Sequence, residues 1–140
     1  MTISTVGVHH VRLTVRDLAA SRAFYDAVFG WQVAYELPAD ADAATREQLW
    51  FLFGGVIYAM PGGLFGLRPV APGDDGFDED RVGLDHVSFA LATREDLDAA
   101  AAHLDALGVA HEGVKDAGGI AILEFRDPDG IALELSAPPA

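Results

Sequence analysis

The sequence predicts an α+β fold: two tandem βαβββ modules that form a cupped mixed sheet, with one helix on the outside of each half. The first observation behind this prediction is an internal repeat, because residues 7–11 (GVHHV) reappear as residues 83–87 (GLDHV). The second is that each copy continues in the same order, with a strand-like alternation, a helical stripe and then further strand-like stretches. The repeat places His10 and His86 at matching positions.

The domain boundaries follow from the repeat and from composition. We expect a single domain over residues 1–140, with module one at 5–69 and module two at 83–137. The segment between them, residues 70–82, is rich in Pro, Gly, Asp and Glu and is predicted to be a linker.

In module one, the alternation Val11, Leu13 and Val15 predicts the first strand, and residues 17–29 predict a helix with Asp17 as its N-cap. Residues 38–47 are expected to form a loop or short helix, and the apolar residues 50–53 fit either a strand or a helix. The remaining strands of this module are expected at residues 31–37, 56–60 and 64–69.

In module two, the alternation Val87, Phe89 and Leu91 predicts the first strand, and Thr93 with Asp96 is typical of a capping box that begins a helix. Gly108 is expected to end that helix. The later strands are expected at residues 109–114, 120–126 and 131–136, and the last two are joined by the turn sequence DPDG at 127–130.

Composition excludes several classes of function. The chain has 140 residues and no cysteine, which rules out disulfides, thiolate metal ligands and cysteine nucleophiles. Nine basic residues against 22 acidic ones give a net charge of −13, so nucleic acid and anionic membranes are not expected partners. Because we find neither a signal peptide nor a 20-residue apolar run, we expect a cytoplasmic protein.

The two repeated histidines are candidate metal ligands. Because side chains alternate along a strand, His10 shares a face with Arg12, His86 shares the equivalent face with Ser88, and His9 is expected to point the other way. Glu134 lies among apolar residues of the last predicted strand, where an unpartnered carboxylate would be costly. Two histidines and one carboxylate form a facial triad suited to a divalent metal with open positions.

These motifs resemble the vicinal oxygen chelate superfamily, which includes glyoxalases, bleomycin-resistance proteins and extradiol dioxygenases. The resemblance lies in His10-Val11, in the helix sequence DLAASRAFY at 17–25, in Phe29-Gly30-Trp31, in LDHV at 84–87 and in DPDG with Glu134. It implies a metal site formed by His10, His86 and Glu134, a divalent ion such as Fe, Mn, Ni, Zn or Co, and a homodimer.

The resemblance further implies a glyoxalase-like lyase or isomerase that acts on a small oxygenated substrate chelated by the metal. Some members have a fourth ligand on the last strand of module one, but Gly66 occupies that position here and cannot be a ligand. Two alternatives remain open: an Fe(II) extradiol-type dioxygenase, and a metal-independent protein that binds a drug or metabolite.

Four further residues are expected to contact the substrate or to assist catalysis. Arg12 and Arg68 are candidates to bind an anionic group, and Ser88 to donate a hydrogen bond. Tyr58 is a candidate to line an apolar pocket, with packing in the core as the alternative role. Glu124 is expected to face away from Glu134, because a four-residue turn at 127–130 would pair residue 123 with residue 134. A bulge that shifts the register would change this expectation.

Overall fold

In a computed structural model that describes all residues from 1 to 140, the chain divides into two compact units, Met1–Gly73 and Asp74–Ala140. Each unit contains one mixed four-stranded sheet, and neither sheet closes into a barrel. The predicted βαβββ order of each half is confirmed. No helix has both the length and the apolar character that crossing a membrane requires.

Unit one has the strand order β1-β4-β3-β2, with β1 parallel to β4 and the other pairs antiparallel. Helix α1 begins after Asp17, whose carboxylate accepts the Ala20 N–H at 3.1 Å, as predicted. Residues 50–53, which the sequence left ambiguous, include a short 3-10 turn at Trp50–Leu52. The elements are β1 His10–Thr14, α1 Leu18–Val28, β2 Gln32–Glu36, α2 Ala43–Gln48, β3 Val56–Met60 and β4 Gly63–Arg68.

The two faces of the unit-one sheet differ. One face carries the core, where Tyr25 of α1 packs on Phe65 with ring centroids 5.0 Å apart. The opposite face carries His10, Arg12 and, by the strand register, their neighbours Leu64 and Gly66. Helix α1 therefore covers one face and leaves the face of His10 available for a site.

Unit two repeats this arrangement with the strand order β5-β8-β7-β6. The predicted capping box between Thr93 and Asp96 begins α3, and Gly108 ends it in a left-handed conformation with φ of 69°. The buried Leu97 and Leu104 lie on the apolar stripe of α3. The elements are β5 Val87–Ala90, α3 Arg94–Leu107, β6 Lys115–Ala117, β7 Ile120–Arg126 and β8 Ala132–Ala137.

One strand prediction is wrong. Residues 109–114 do not form a strand; the edge strand of unit two is instead β6, Lys115–Ala117. Gly113 has a φ of 81°, which an extended strand does not accommodate, and only His111 makes an isolated bridge, to Phe125. His111 is also largely buried, because its ring bonds the Asp105 carboxylate and accepts the Gly113 N–H.

Candidate functional site

His86 and Glu134, two of the three proposed ligands, lie close together in unit two. His86 directly precedes β5, and Glu134 lies on β8 opposite Ser88 of β5. The His86 Nε2 atom is 4.0 Å from Glu134 Oε2. Because strand pairing fixes Glu134 and the adjacent strand fixes His86, the pair is held by the backbone of two hydrogen-bonded strands.

The other ring nitrogen of His86 is also held. Asp85 accepts a hydrogen bond from Nδ1, which leaves Nε2 as the atom directed toward Glu134. This bond, helped by the charge of Glu134, raises the pKa of His86 above its ordinary value. A carboxylate on the far nitrogen of a metal-binding histidine is a common arrangement, since it fixes the tautomer and increases the basicity of the ligand. Asp85 is a functional candidate that the sequence analysis missed.

Glu134 is mostly buried, with 12% of its side chain exposed. Ser88 Oγ donates a hydrogen bond to Glu134 Oε1 at 2.7 Å and lies 3.1 Å from Ser136 Oγ. Ser88 was predicted to bond the substrate, but in the structure it orients the carboxylate of Glu134. The second oxygen of that carboxylate therefore remains directed toward His86.

The position of Glu124 differs from the sequence prediction. It pairs directly with Glu134 across β7 and β8, so the two carboxylates share a face instead of pointing to opposite faces. The connection is one residue longer than predicted: Asp127 N–H donates to the Ile131 carbonyl, and Gly130 takes a φ of 79°. A type I turn followed by a left-handed glycine forms a bulge, which shifts the register by one residue.

A small pocket of about 100 Å³ lies against this group of side chains in unit two. Its polar lining combines one imidazole, one guanidinium and four carboxylates. Lys115 adds a second cation, since its Nζ is 2.9 Å from Glu124. The residues that line the pocket are Glu79, Asp85, His86, Glu124, Phe125, Arg126, Ala132, Leu133 and Glu134.

His10 lies in unit one, at the start of β1, and lines a larger cavity of about 490 Å³. Its Nδ1 is 2.9 Å from Nδ1 of His9, so His9 turns toward His10 and not away from it as predicted. Strand alternation does not apply to His9, because β1 begins only at His10. The remaining wall of the cavity is mainly apolar and contains Arg12, Tyr35, Phe51, Ile57 and Leu64.

The chain contains no group of three or more His, Asp or Glu side chains arranged to hold a metal ion. His86 and Glu134 form a two-ligand group within unit two, and His10 belongs to unit one. An imidazole and a carboxylate with open space beside them fit a divalent first-row metal, which accepts nitrogen and oxygen ligands together.

Arg12 braces the fold of unit one. Its guanidinium donates to the carbonyls of Phe51 and Leu52 at 2.5 and 2.7 Å, which satisfies the end of the 3-10 turn. Burial, together with the charge of Arg68, lowers the pKa of Arg12. The alkyl chain of Arg12 lies over Gly66, where an added Cβ would be 2.9 Å from Arg12 Cγ. An arginine therefore fills the space beside Gly66.

Arg68 and Tyr58 are placed differently from what the sequence predicted. Arg68 stacks on Phe53, with its guanidinium carbon 4.0 Å from the ring centroid, and it is not part of the cavity wall. Tyr58 lies on the helix-facing side of the sheet, is 1% exposed and donates to Asp26 at 2.8 Å. Of the two roles considered for Tyr58, the structure therefore shows packing in the core, and its strand neighbour Ile57 faces the cavity.

Comparison with known proteins supports the same family as the sequence motifs. The family model described as "Glyoxalase/Bleomycin resistance protein/Dioxygenase superfamily" matches residues 7–135. This chain belongs to that superfamily. Members often bind divalent metals and bind small molecules, and many of them are enzymes.

Individual proteins are similar to this chain over nearly its whole length. The uncharacterized protein YaeR of Escherichia coli K12 is 30% identical over 130 residues, which cover 91% of this chain and 93% of YaeR. A glyoxylase/bleomycin resistance protein/dioxygenase domain from Frankia sp. EAN1pec is 32% identical, with a TM-score of 0.76 and coverage of 97% and 94%.

A third protein is similar in fold. The fosfomycin resistance protein FosX of Listeria monocytogenes has a TM-score of 0.70 at 21% identity, with coverage of 99% of this chain and 96% of that one. At this identity the match shows a shared fold.

Proposed function

We propose that this member of the superfamily is a divalent-metal-dependent enzyme of the glyoxalase type, a lyase or isomerase acting on a small oxygenated substrate. The observation that carries the proposal is the pair His86 and Glu134, with Nε2 and Oε2 4.0 Å apart and the far nitrogen of His86 held by Asp85. His10, the matching histidine of the repeat, is the proposed third ligand.

A bound divalent ion would supply Lewis-acid polarisation to two adjacent oxygens of the substrate. The protein supplies orientation: Ser88 and Asp85 hold the two ligands of unit two in position. The cavity beside His10 would accept an apolar substrate body against Tyr35 and Phe51. Arg12 contributes to that wall. Arg68 remains a proposed binding residue for an anionic group of the substrate, although it lies outside the cavity wall.

The test is metal binding by the full chain. Protein purified without chelators should contain about one equivalent of metal by elemental analysis. Adding Mn²⁺, Ni²⁺, Zn²⁺, Co²⁺ or Fe²⁺ to protein freed of metal should raise its melting temperature, since ligand at 100 times Kd stabilises by about 2.7 kcal/mol.

Two variants sharpen this test. His86→Ala should abolish the metal-dependent shift, whereas His103→Ala, on the exposed surface of α3, should retain it. Absence of bound metal together with no shift for any of the five ions would refute a metal-dependent enzyme. Size-exclusion chromatography with light scattering on the same samples tests the expected homodimer.

A second candidate function is supported by the cavity itself. Its largely apolar wall could bind a drug or metabolite without a metal, as a sequestering protein would. In that case His86→Ala would keep full affinity for a ligand of the cavity, and Phe51→Ala would reduce it. If the protein is instead a metal-dependent enzyme, His86→Ala should reduce turnover more than Phe51→Ala does.

A further inference from the structure

The placement of Glu124 is unusual for a sheet. It lies directly opposite Glu134 on the antiparallel strands β7 and β8, so both carboxylates project from the same face. Residues opposed in this way have Cβ atoms about 4.5–5.5 Å apart, and like charges there destabilise the sheet. Such a pair suggests a compensating positive charge close to both carboxylates.

The structure pairs Glu124 with a lysine, whereas Glu134 has only the more distant imidazole of His86. Glu124 accepts from Lys115 Nζ at 2.9 Å, and Lys115 also binds Glu112. Glu134 accepts only the neutral hydroxyl of Ser88 and lies 4.0 Å from His86. The nearest guanidinium in the pocket, that of Arg126, is paired with Glu79. No lysine or arginine is paired with Glu134, and a bound cation would place a full positive charge beside it.

We infer that Glu124 is an electrostatic positioning residue of the proposed cation site: its charge strengthens cation binding at His86 and Glu134 without direct ligation, and Lys115 limits that effect. The inference rests on the proposed metal-dependent function. Glu124 is not assigned as a ligand, because its carboxylate is already paired with Lys115. The charge of Glu124 would act on the bound cation through space, with a strength that depends on the local dielectric.

The competing explanation is that Lys115 and Glu124 form only a surface ion pair, which would contribute little to stability and would not affect cation binding. The two explanations differ in their predictions for Lys115. If Glu124 acts on the cation site, removing Lys115 frees that charge and should tighten binding. If the pair is only structural, removing either partner should leave cation affinity unchanged.

The experiment measures Mn²⁺ affinity by calorimetry on the full chain at low ionic strength. Glu124→Gln should weaken binding about threefold to tenfold, and Lys115→Gln should tighten it by about twofold to fivefold. Glu112→Gln is the matched control, because it removes the other partner of Lys115 but not the residue opposite Glu134. Its affinity should stay within about twofold of the wild type. Circular dichroism establishes that each variant is folded.

Salt separates a through-space effect from lost ligation. In 1 M KCl, where the Debye length is about 3 Å, the difference between Glu124→Gln and wild type should largely disappear. Glu134→Gln, which removes a proposed ligand, should remain defective at that salt concentration. Equal affinities for wild type and Glu124→Gln at low salt, or weaker binding in Lys115→Gln, would overturn the inference. Loss of Mn²⁺ binding in the wild type would instead refute the proposed function.

Discussion

Gly66 shows how one missing side chain shapes the candidate site. It lies opposite Arg12 in the register of β1 and β4, just as Glu134 lies opposite Ser88 in unit two. The sequence located this correspondence correctly by counting from the preceding turn. Only the structure shows the consequence, which is that the side chain of Arg12 crosses over Gly66 to reach the carbonyls of the 3-10 turn.

Gly66→Ala should therefore destabilise the protein by about 1–2 kcal/mol, because the new methyl group would overlap Arg12 Cγ in a packed region. Urea denaturation measures the change. Gly73→Ala is the control, since a Cβ at Gly73 meets no atom within 4 Å, and it should stay within about 0.5 kcal/mol of wild type. Equal stability of the two variants would contradict the assigned contact.

Tyr58 is buried in the core and does not line the cavity. Its hydroxyl bonds Asp26 of α1, which ties the helix to the sheet, and burial raises the pKa of Tyr58 well above the ordinary value of 10. The sequence could not assign the face, because an aromatic residue in a strand fits either the core or a pocket.

We expect Tyr58→Phe to cost about 1 kcal/mol of stability through the lost hydrogen bond, with no effect on metal binding. Thermal and urea unfolding measure the first effect, and the Mn²⁺ titration measures the second. Tyr35→Phe, at a tyrosine that is 47% exposed, should leave stability unchanged. Weaker metal binding in Tyr58→Phe would contradict a purely structural role for this residue.

At the scale of elements, the connection between β7 and β8 decides which residues share the site. The turn DPDG was recognised from the sequence, but its length was not, because the pairing of Asp127 with Ile131 depends on Gly130 adopting a left-handed conformation. The Asp127 carboxylate fixes this geometry by accepting the N–H groups of Asp129 and Ile131, each at 2.9 Å. Because the connection is one residue longer than predicted, Glu124 lies on the same face of the sheet as Glu134.

The segment before β5 is attached to that same hairpin by an ion pair between Glu79 and Arg126. The hydrogen bond from Arg126 lowers the pKa of Glu79 from 4.5 to about 2. Because the folded-state pKa is the lower one, the pair stabilises the fold above about pH 4.5 and loses this contribution as the pH falls to about 2.

Glu79→Gln should consequently melt at a lower temperature than wild type near neutral pH, and the gap should close between pH 4.5 and pH 2. The pair is exposed to solvent, so the gap should be small and should shrink in 1 M KCl. Calorimetry across this pH range provides the measurement. A gap that persists at pH 2 would show that Glu79 stabilises the fold by some other contact.

For the whole molecule, the net charge of −13 is the dominant electrostatic feature. Self-repulsion of this size destabilises a compact state, so KCl raised from 10 mM to 0.5 M should increase the melting temperature at pH 7 by a few degrees. At about pH 4.5, where many carboxylates are protonated, the same addition of salt should have much less effect. An equal rise at both pH values would point to a cause other than charge repulsion.

The sequence by itself determined the repeat, the βαβββ order of each half, the helix caps and the superfamily, because each depends on local spacing or on residue identity. Tertiary structure decided what depends on which atoms meet across strands. It held the free nitrogen of His86 toward Glu134, turned His9 toward His10, engaged Arg12 with backbone carbonyls and buried Tyr58 under α1. It also placed Glu124 beside Glu134, since strand register is set by the conformation of a single glycine, which composition does not encode.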